Sequence, residues 1–192
     1  MSTQTDLLIN PHPCRHIVYP YNDEEKAVNA LYLFASSGLC KRESVVLIMA
    51  DSRCETIMRR LAIGGFDLTT LQASGQLECI SADSMLRTFM PNGVLDERLV
   101  NDILSSLIKK ARASSPILTV RVFGEMVSLL LARDEVATAE RLEELWDKII
   151  KTHSISLLCS YTLLHSGHSI LPESLEKLHS DNLNSWSQEF EA

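Results

Sequence analysis

Five short apolar runs, each parted from the next by a longer stretch with helical spacing, constrain this chain more than any other feature of its sequence. They are Arg15 to Tyr19 (RHIVY), Ser44 to Ala50 (SVVLIMA), Leu77 to Ser81 (LECIS), Ile117 to Phe123 (ILTVRVF) and Ile155 to Tyr161 (ISLLCSY). Three of them are nearly continuous in apolar residues, and β-branched residues are frequent. Such runs suit strands covered on both faces, as in parallel sheets. Connections of this length are crossovers rather than hairpins. The expected fold class is therefore α/β: a mainly parallel central sheet of about five or more strands with helices on both faces.

The segments between the runs carry helix start and stop signals. Asn22 with Glu25 three residues on reads as an N-cap and its capping-box acid; the helix then runs through Ala27, Ala30, Leu31 and Phe34 and stops at Gly38. Ser52 with Glu55 repeats the start, Ile57, Met58 and Leu61 follow, and Gly64-Gly65 ends that helix. A long helix opens near Asp96, with Leu99, Val100, Ile103, Leu104, Leu107, Ile108 and Ala111 on one stripe. Lys109, Lys110 and Arg112 fall in its last turns, where cations suit the helix dipole. Another runs from about Asp134 to Lys151, with Leu142, Leu145, Trp146, Ile149 and Ile150 on its apolar stripe. Shorter helices are expected over Asp67 to Ser74, Asp83 to Phe89 and Glu125 to Leu131. After His165 the pattern weakens, and Pro172 with Glu173 and Glu176 marks a helix start in the tail.

Composition narrows the function classes. With 192 residues, 45% of them hydrophobic, the chain can bury one full core. The net charge of −7 disfavours a broad basic surface for nucleic acid. No apolar run approaches the ~20 residues that cross a bilayer, and the first residues lack the pattern of a secretory signal. Five widely spaced cysteines argue against a disulfide framework and for a reduced, cytoplasmic setting. Cys40, Cys54 and Cys79 read as positions without chemistry, and Cys159 as a buried thiol.

In an open α/β sheet, ligands bind beyond the carboxyl ends of the strands. That rule selects Tyr19, Pro20, Tyr21 and Asn22, then Asp51 and Ser52, Asp83, Gly124 and Glu125, and last Ser160 and Tyr161. None of the seven glycines belongs to a phosphate-binding pattern. The turn after the first run reads YPYNDEEK, whose acids would repel a phosphate. Arg121 stands inside an apolar strand, where its charge needs a partner. Glu125, four residues on, is read either as that partner or as a cap of the following helix. His12, Cys14 and His16 alternate, so an extended strand would put all three on one face. Four ligands are wanted for a structural metal site, and none is assigned here.

The run from His16 to Tyr161 resembles the MEDS domain, the sensory domain of the dichloromethane regulator DcmR and of methanogen and methylotroph signalling proteins. The matching pieces are HIVYPY, LYLFASSGLCKRESVVLIMA, LAIGGFDLTTLQASGQLECISAD, VRVFGEM and LEELWDKIIKTHSISLLCSYTL, in that order. The resemblance implies a derivative of the RecA/KaiC-type ATPase core, a three-layer sandwich. The KaiC phosphate loop would fall at YPYNDEEK, which departs from it entirely. It implies a domain over 15–166, with a lead-in at 1–14 and a C-terminal helical tail at 167–192. It also implies a non-catalytic sensor without cofactor or metal. Such a sensor would bind a small organic ligand, hydrocarbon-like or otherwise, and pass the signal to a histidine kinase or other regulatory protein. The ligand-binding residues expected are His16, Tyr19, Tyr21, Arg121, Glu125, Cys159 and Tyr161. The tyrosines supply apolar area with a polar tip.

No output domain is read in the chain, so a separate partner or a homo-oligomer is expected. The alternative is an oligomerising or kinase-docking scaffold with an ATPase-like shape and no ligand, supported by Leu183, Trp186 and Phe190 in the tail. A residual nucleotide binder ranks last.

Overall fold

The computed structural model describes residues 4–162 and Leu175. Its centre is one five-stranded sheet formed by β1 (His16–Tyr21), β2 (Ser44–Met49), β3 (Leu77–Ser81), β4 (Val120–Gly124) and β5 (Ser156–Thr162), in the spatial order β1-β5-β4-β2-β3. All four pairings are parallel. The helices are α1 (Gln4–Ile9), α2 (Glu24–Cys40), α3 (Asp51–Ile63), α4 (Leu68–Ala73), α5 (Ala82–Phe89), α6 (Glu97–Ser114), α7 (Met126–Leu131) and α8 (Val136–His153). One core layer joins residues of α5 to α8 to one face of the sheet; the other joins α1 to α4 to the opposite face. The expected three-layer α/β architecture is the observed one.

The capping details differ from the sequence reading at two helices. Asp23, not Asn22, caps α2, its carboxylate accepting from the Glu25 amide at 2.8 Å. That helix also runs past Gly38 to Cys40. The start of α3 has Ala50 at its cap and no side-chain cap at all. There the Ala50 amide is taken by Glu125 from across the sheet. Asp96 does cap α6, accepting from the amides of Arg98 and Leu99.

Strand ends also move, most at the end of β1 and the start of β4. Pro20 lies inside β1, which an edge strand tolerates because one side of its backbone has no ladder partner. At β4 the strand opens at Val120, three residues later than expected. Leu118 has φ 57° and, like Ile117, is exposed, so the chain turns here before pairing begins. The segment Gln4–Ile9, within the expected lead-in, is a helix whose Leu8 is buried against α2. The expected tail lies outside the described residues, apart from Leu175, a buried helical residue of the first core layer.

Crossover direction fixes where a ligand can enter. From β2 the chain moves outward to β3, and from β4 it moves the other way to β5. The following helices therefore lie on opposite faces, and β2 and β4 part at their carboxyl ends. That is a topological switch point, where open α/β sheets leave a crevice.

Candidate functional site

The crevice is present as a cleft of about 260 Å³, lined by Glu24, Val28, Ala50, Ser52, Arg53, Thr56 and Glu125. Its organiser is Arg53, in the first turn of α3. One guanidinium nitrogen pairs with Glu125 at 2.7 Å. The other donates to both Glu24 oxygens at 2.7 and 2.9 Å and to the Tyr21 hydroxyl at 3.1 Å. The guanidinium also lies over the Tyr21 ring, 5.7 Å from its centroid. Glu125 uses its second oxygen to accept from the Ala50 amide at 2.7 Å. Thr162 at the end of β5 donates to the Tyr21 oxygen at 3.1 Å. Burial works against the Arg53 charge, but Glu125, Tyr21 and Glu24 more than offset it, so the guanidinium is held more firmly protonated than usual. Five elements, β1, α2, α3, β5 and the end of β4, thus meet in one ion and hydrogen-bond network.

A second polar cluster lies on the other face, between the β1–β5 pair and α8. Val18 and Cys159 are partners in register, and His16, Cys159 and Tyr161 project to the α8 side. Glu143 of α8 is fully buried there. One of its oxygens accepts from the Tyr161 hydroxyl, and the other lies 3.6 Å from His16 Nε2. The second ring nitrogen of His16, Nδ1, is 3.2 Å from Asp147, one turn further along α8. Burial pushes the Cys159 thiol well above its ordinary range, and Glu143 and Asp147 push it further, so it is protonated at neutral pH.

The seven expected residues are therefore not one constellation. Tyr21 and Glu125 meet at the cleft. His16, Cys159 and Tyr161 form the buried cluster with Glu143. Tyr19 is half-buried on the α2 side of β1. Arg121 lies toward the opposite end of the sheet. It pairs with Glu43 and donates to the carbonyls of Leu8, Phe34 and Ile9 and to the Ser37 hydroxyl. The suggested Arg121–Glu125 pair is thus corrected: each has another partner, because Arg121 enters β4 near its start and Glu125 leaves at its end. Nor does the Glu125 side chain cap α7. Of the His12, Cys14 and His16 group, the first two are exposed and only His16 turns inward.

Sequence reasoning missed Arg53, Glu24 and Glu143. Arg53 stands one residue beyond the positions selected after β2, and its long side chain brings it back to the cleft. Glu24 was counted only among the acids of the turn. Glu143 did carry a signal: with Ala139, Trp146 and Ile150 it falls at helical i, i+4, i+7, i+11 spacing, a carboxylate on an apolar stripe. A further correction concerns Cys54 and Cys79, which form a disulfide between α3 and β3.

No curated protein matches the chain significantly. A family model does, over residues 15–179: the MEthanogen/methylotroph, DcmR Sensory domain. That span covers most of the chain, all five strands included. With its parallel α/β sheet, its cleft at the switch point and this match, the chain belongs to the MEDS sensory-domain family.

Proposed function

We propose that this protein is a non-catalytic receptor that takes a small organic molecule into the cleft at the ends of β2 and β4. The observation that carries this reading is Arg53 bridging Glu24 and Glu125 at the wall of that cleft. A volume of about 260 Å³ suits a molecule smaller than the usual drug-sized ligand. Two carboxylates face one guanidinium, so the lining disfavours an anion. Val28 and Ala50 add apolar contact. A neutral or cationic molecule with one polar group fits this lining better than a bare hydrocarbon.

Signal transfer follows from the bridge. A ligand polar group that competes for Arg53 or Glu125 loosens α3 from α2 and from the end of β4. The shift in α3 is what a histidine kinase or other regulatory partner would read. The start of α2, where a phosphate loop would lie, is already engaged: Asp23 takes the Glu25 amide and Arg53 holds Glu24. This supports a receptor derived from a RecA/KaiC-type core in preference to an ATPase.

The test is thermal unfolding of the full chain against a panel of small alcohols, amines and carboxylates, since a ligand of the native state raises its stability by mass action. Neutral or cationic members are expected to raise the midpoint. Glu125→Gln and Arg53→Lys should each abolish that rise, measured from the variant's own baseline. A rise confined to carboxylates, or one unchanged in both variants, would refute the assignment.

A further inference from the structure

The cluster beneath α8 lies on the opposite sheet face from the cleft and shares no residue with it, so its chemistry is independent of the receptor reading. We propose that His16, Glu143 and Cys159 form a binding site for one divalent transition-metal ion of the zinc and cobalt kind, with a fourth position open to an outside ligand.

Geometry comes first. One donor atom from each residue lies within 4.8 Å of the other two. Three donors of a tetrahedral ion with bonds of roughly 2.0–2.3 Å stand about 3.3–3.8 Å apart. Were all three separations as large as 4.8 Å, each donor atom would have to move inward by up to about 0.9 Å, within the reach of side-chain rotations. The donors come from three elements, β1, α8 and β5, which the sheet and its covering helix hold together.

The surroundings match what a metal-binding histidine needs. Asp147 stands 3.2 Å from His16 Nδ1, while Nε2 turns toward Glu143. A carboxylate on one ring nitrogen fixes the tautomer and leaves the other nitrogen's lone pair for a metal. Glu143 is likewise oriented, since Tyr161 donates to one oxygen and the second faces His16. Asp147 is partly exposed, so the His16 end of the cluster has a neighbour that reaches solvent.

The donor set selects the ion. Imidazole, carboxylate and thiolate together suit zinc, cobalt or iron(II), whereas magnesium and calcium prefer oxygen alone. Three protein ligands leave a tetrahedral ion one position for water or a small molecule. On binding, the Cys159 sulfur gives its proton to solvent as the metal–sulfur bond forms.

The test uses the full chain carrying Cys14→Ser and Cys40→Ser, which removes the two exposed free thiols. It is titrated with Co2+ and then Zn2+. The expected result is saturation at one equivalent, visible bands of a tetrahedral cobalt ion, a near-ultraviolet thiolate-to-cobalt band, and loss of both sets of bands on adding Zn2+. Cys159→Ser should remove the thiolate band. Asp147→Ala, at a partly exposed position, should weaken Co2+ binding by about 10- to 100-fold. The proposal is overturned by absence of the thiolate band or by its survival in Cys159→Ser. Should Cys159→Ser fail to fold, the Asp147→Ala titration decides, and an unchanged affinity there overturns the proposal.

Discussion

Arg121 and Glu143 are both charged residues inside the core, and the chain accommodates them differently. Arg121 is 1% exposed, yet its guanidinium donates to three backbone carbonyls and a hydroxyl, pairs with Glu43, and lies over the Phe34 ring. That density of partners is what makes a buried guanidinium tolerable. Glu143 instead meets a phenol and an imidazole. A third residue gives a pH prediction. Burial, with the charges of Lys109 and Arg112, holds the His153 imidazole below its ordinary value of 6.5. The unfolded chain therefore binds this proton more readily than the native one. The His153 contribution to stability is full above 6.5 and is lost as pH falls through the lowered native value. His153→Gln, which can still reach the Ser105 hydroxyl, is expected to flatten the fall in urea midpoint between about pH 7 and pH 5.5. An equally steep fall in the variant would place the effect elsewhere.

At the scale of elements, α2 is set close to the sheet by Gly38. Alanine in place of a helical glycine ordinarily gains up to about 1 kcal/mol. Here an added Cβ would stand 2.9 Å from Cδ and Nε of Arg121 and 3.2 Å from Val45. Arg121 cannot retreat without giving up its carbonyl partners on α1 and α2. Gly38→Ala is therefore expected to destabilise by about 1–3 kcal/mol, read as a lower urea midpoint. Gly124→Ala is the control: its nearest neighbour would be Leu157 at 3.6 Å, an ordinary contact, and its midpoint should hardly move. The same Arg121 links α1 to the sheet through Leu8 and Ile9, and Lys41 adds a bond to Ile9.

At the scale of the molecule, the disulfide is the one covalent crosslink among the described residues. Cys54 and Cys79 are 25 residues apart and tie α3 to the edge strand β3. Closing a loop of that length stabilises by roughly 3 kcal/mol through the unfolded chain. For a chain of this size, that corresponds to a drop in thermal midpoint of roughly 6–12 °C on reduction. The Cys54→Ser/Cys79→Ser variant should unfold at the lower temperature and ignore the reductant. A wild-type midpoint indifferent to reductant would remove the crosslink's role. The Cys54–Cys79 pair was not legible because spacing along the chain carries no information about which side chains a crossover returns to one another.

Much of the architecture was legible because it depends on local patterns. Continuous β-branched runs must be covered on both faces, and long helical connections make their strands parallel, so the layers and nearly every element follow from hydrophobic periodicity. Tyr21 and Glu125 were found by the same logic, since the ends of strands can be located without knowing their order. Strand order itself was not legible. It places β2 beside β4, makes a switch point there, and moves Pro20 to an edge that tolerates it. It also separates Arg121 from Glu125 and brings Glu43, 78 residues away, to Arg121. Long side chains and helix faces settled the rest: Arg53 returns to the cleft, and Glu143 turns its carboxylate inward to His16 and Cys159. Local sequence determines what each segment must bury, whereas partners for charge are chosen by whatever the packed sheet places within a few ångströms.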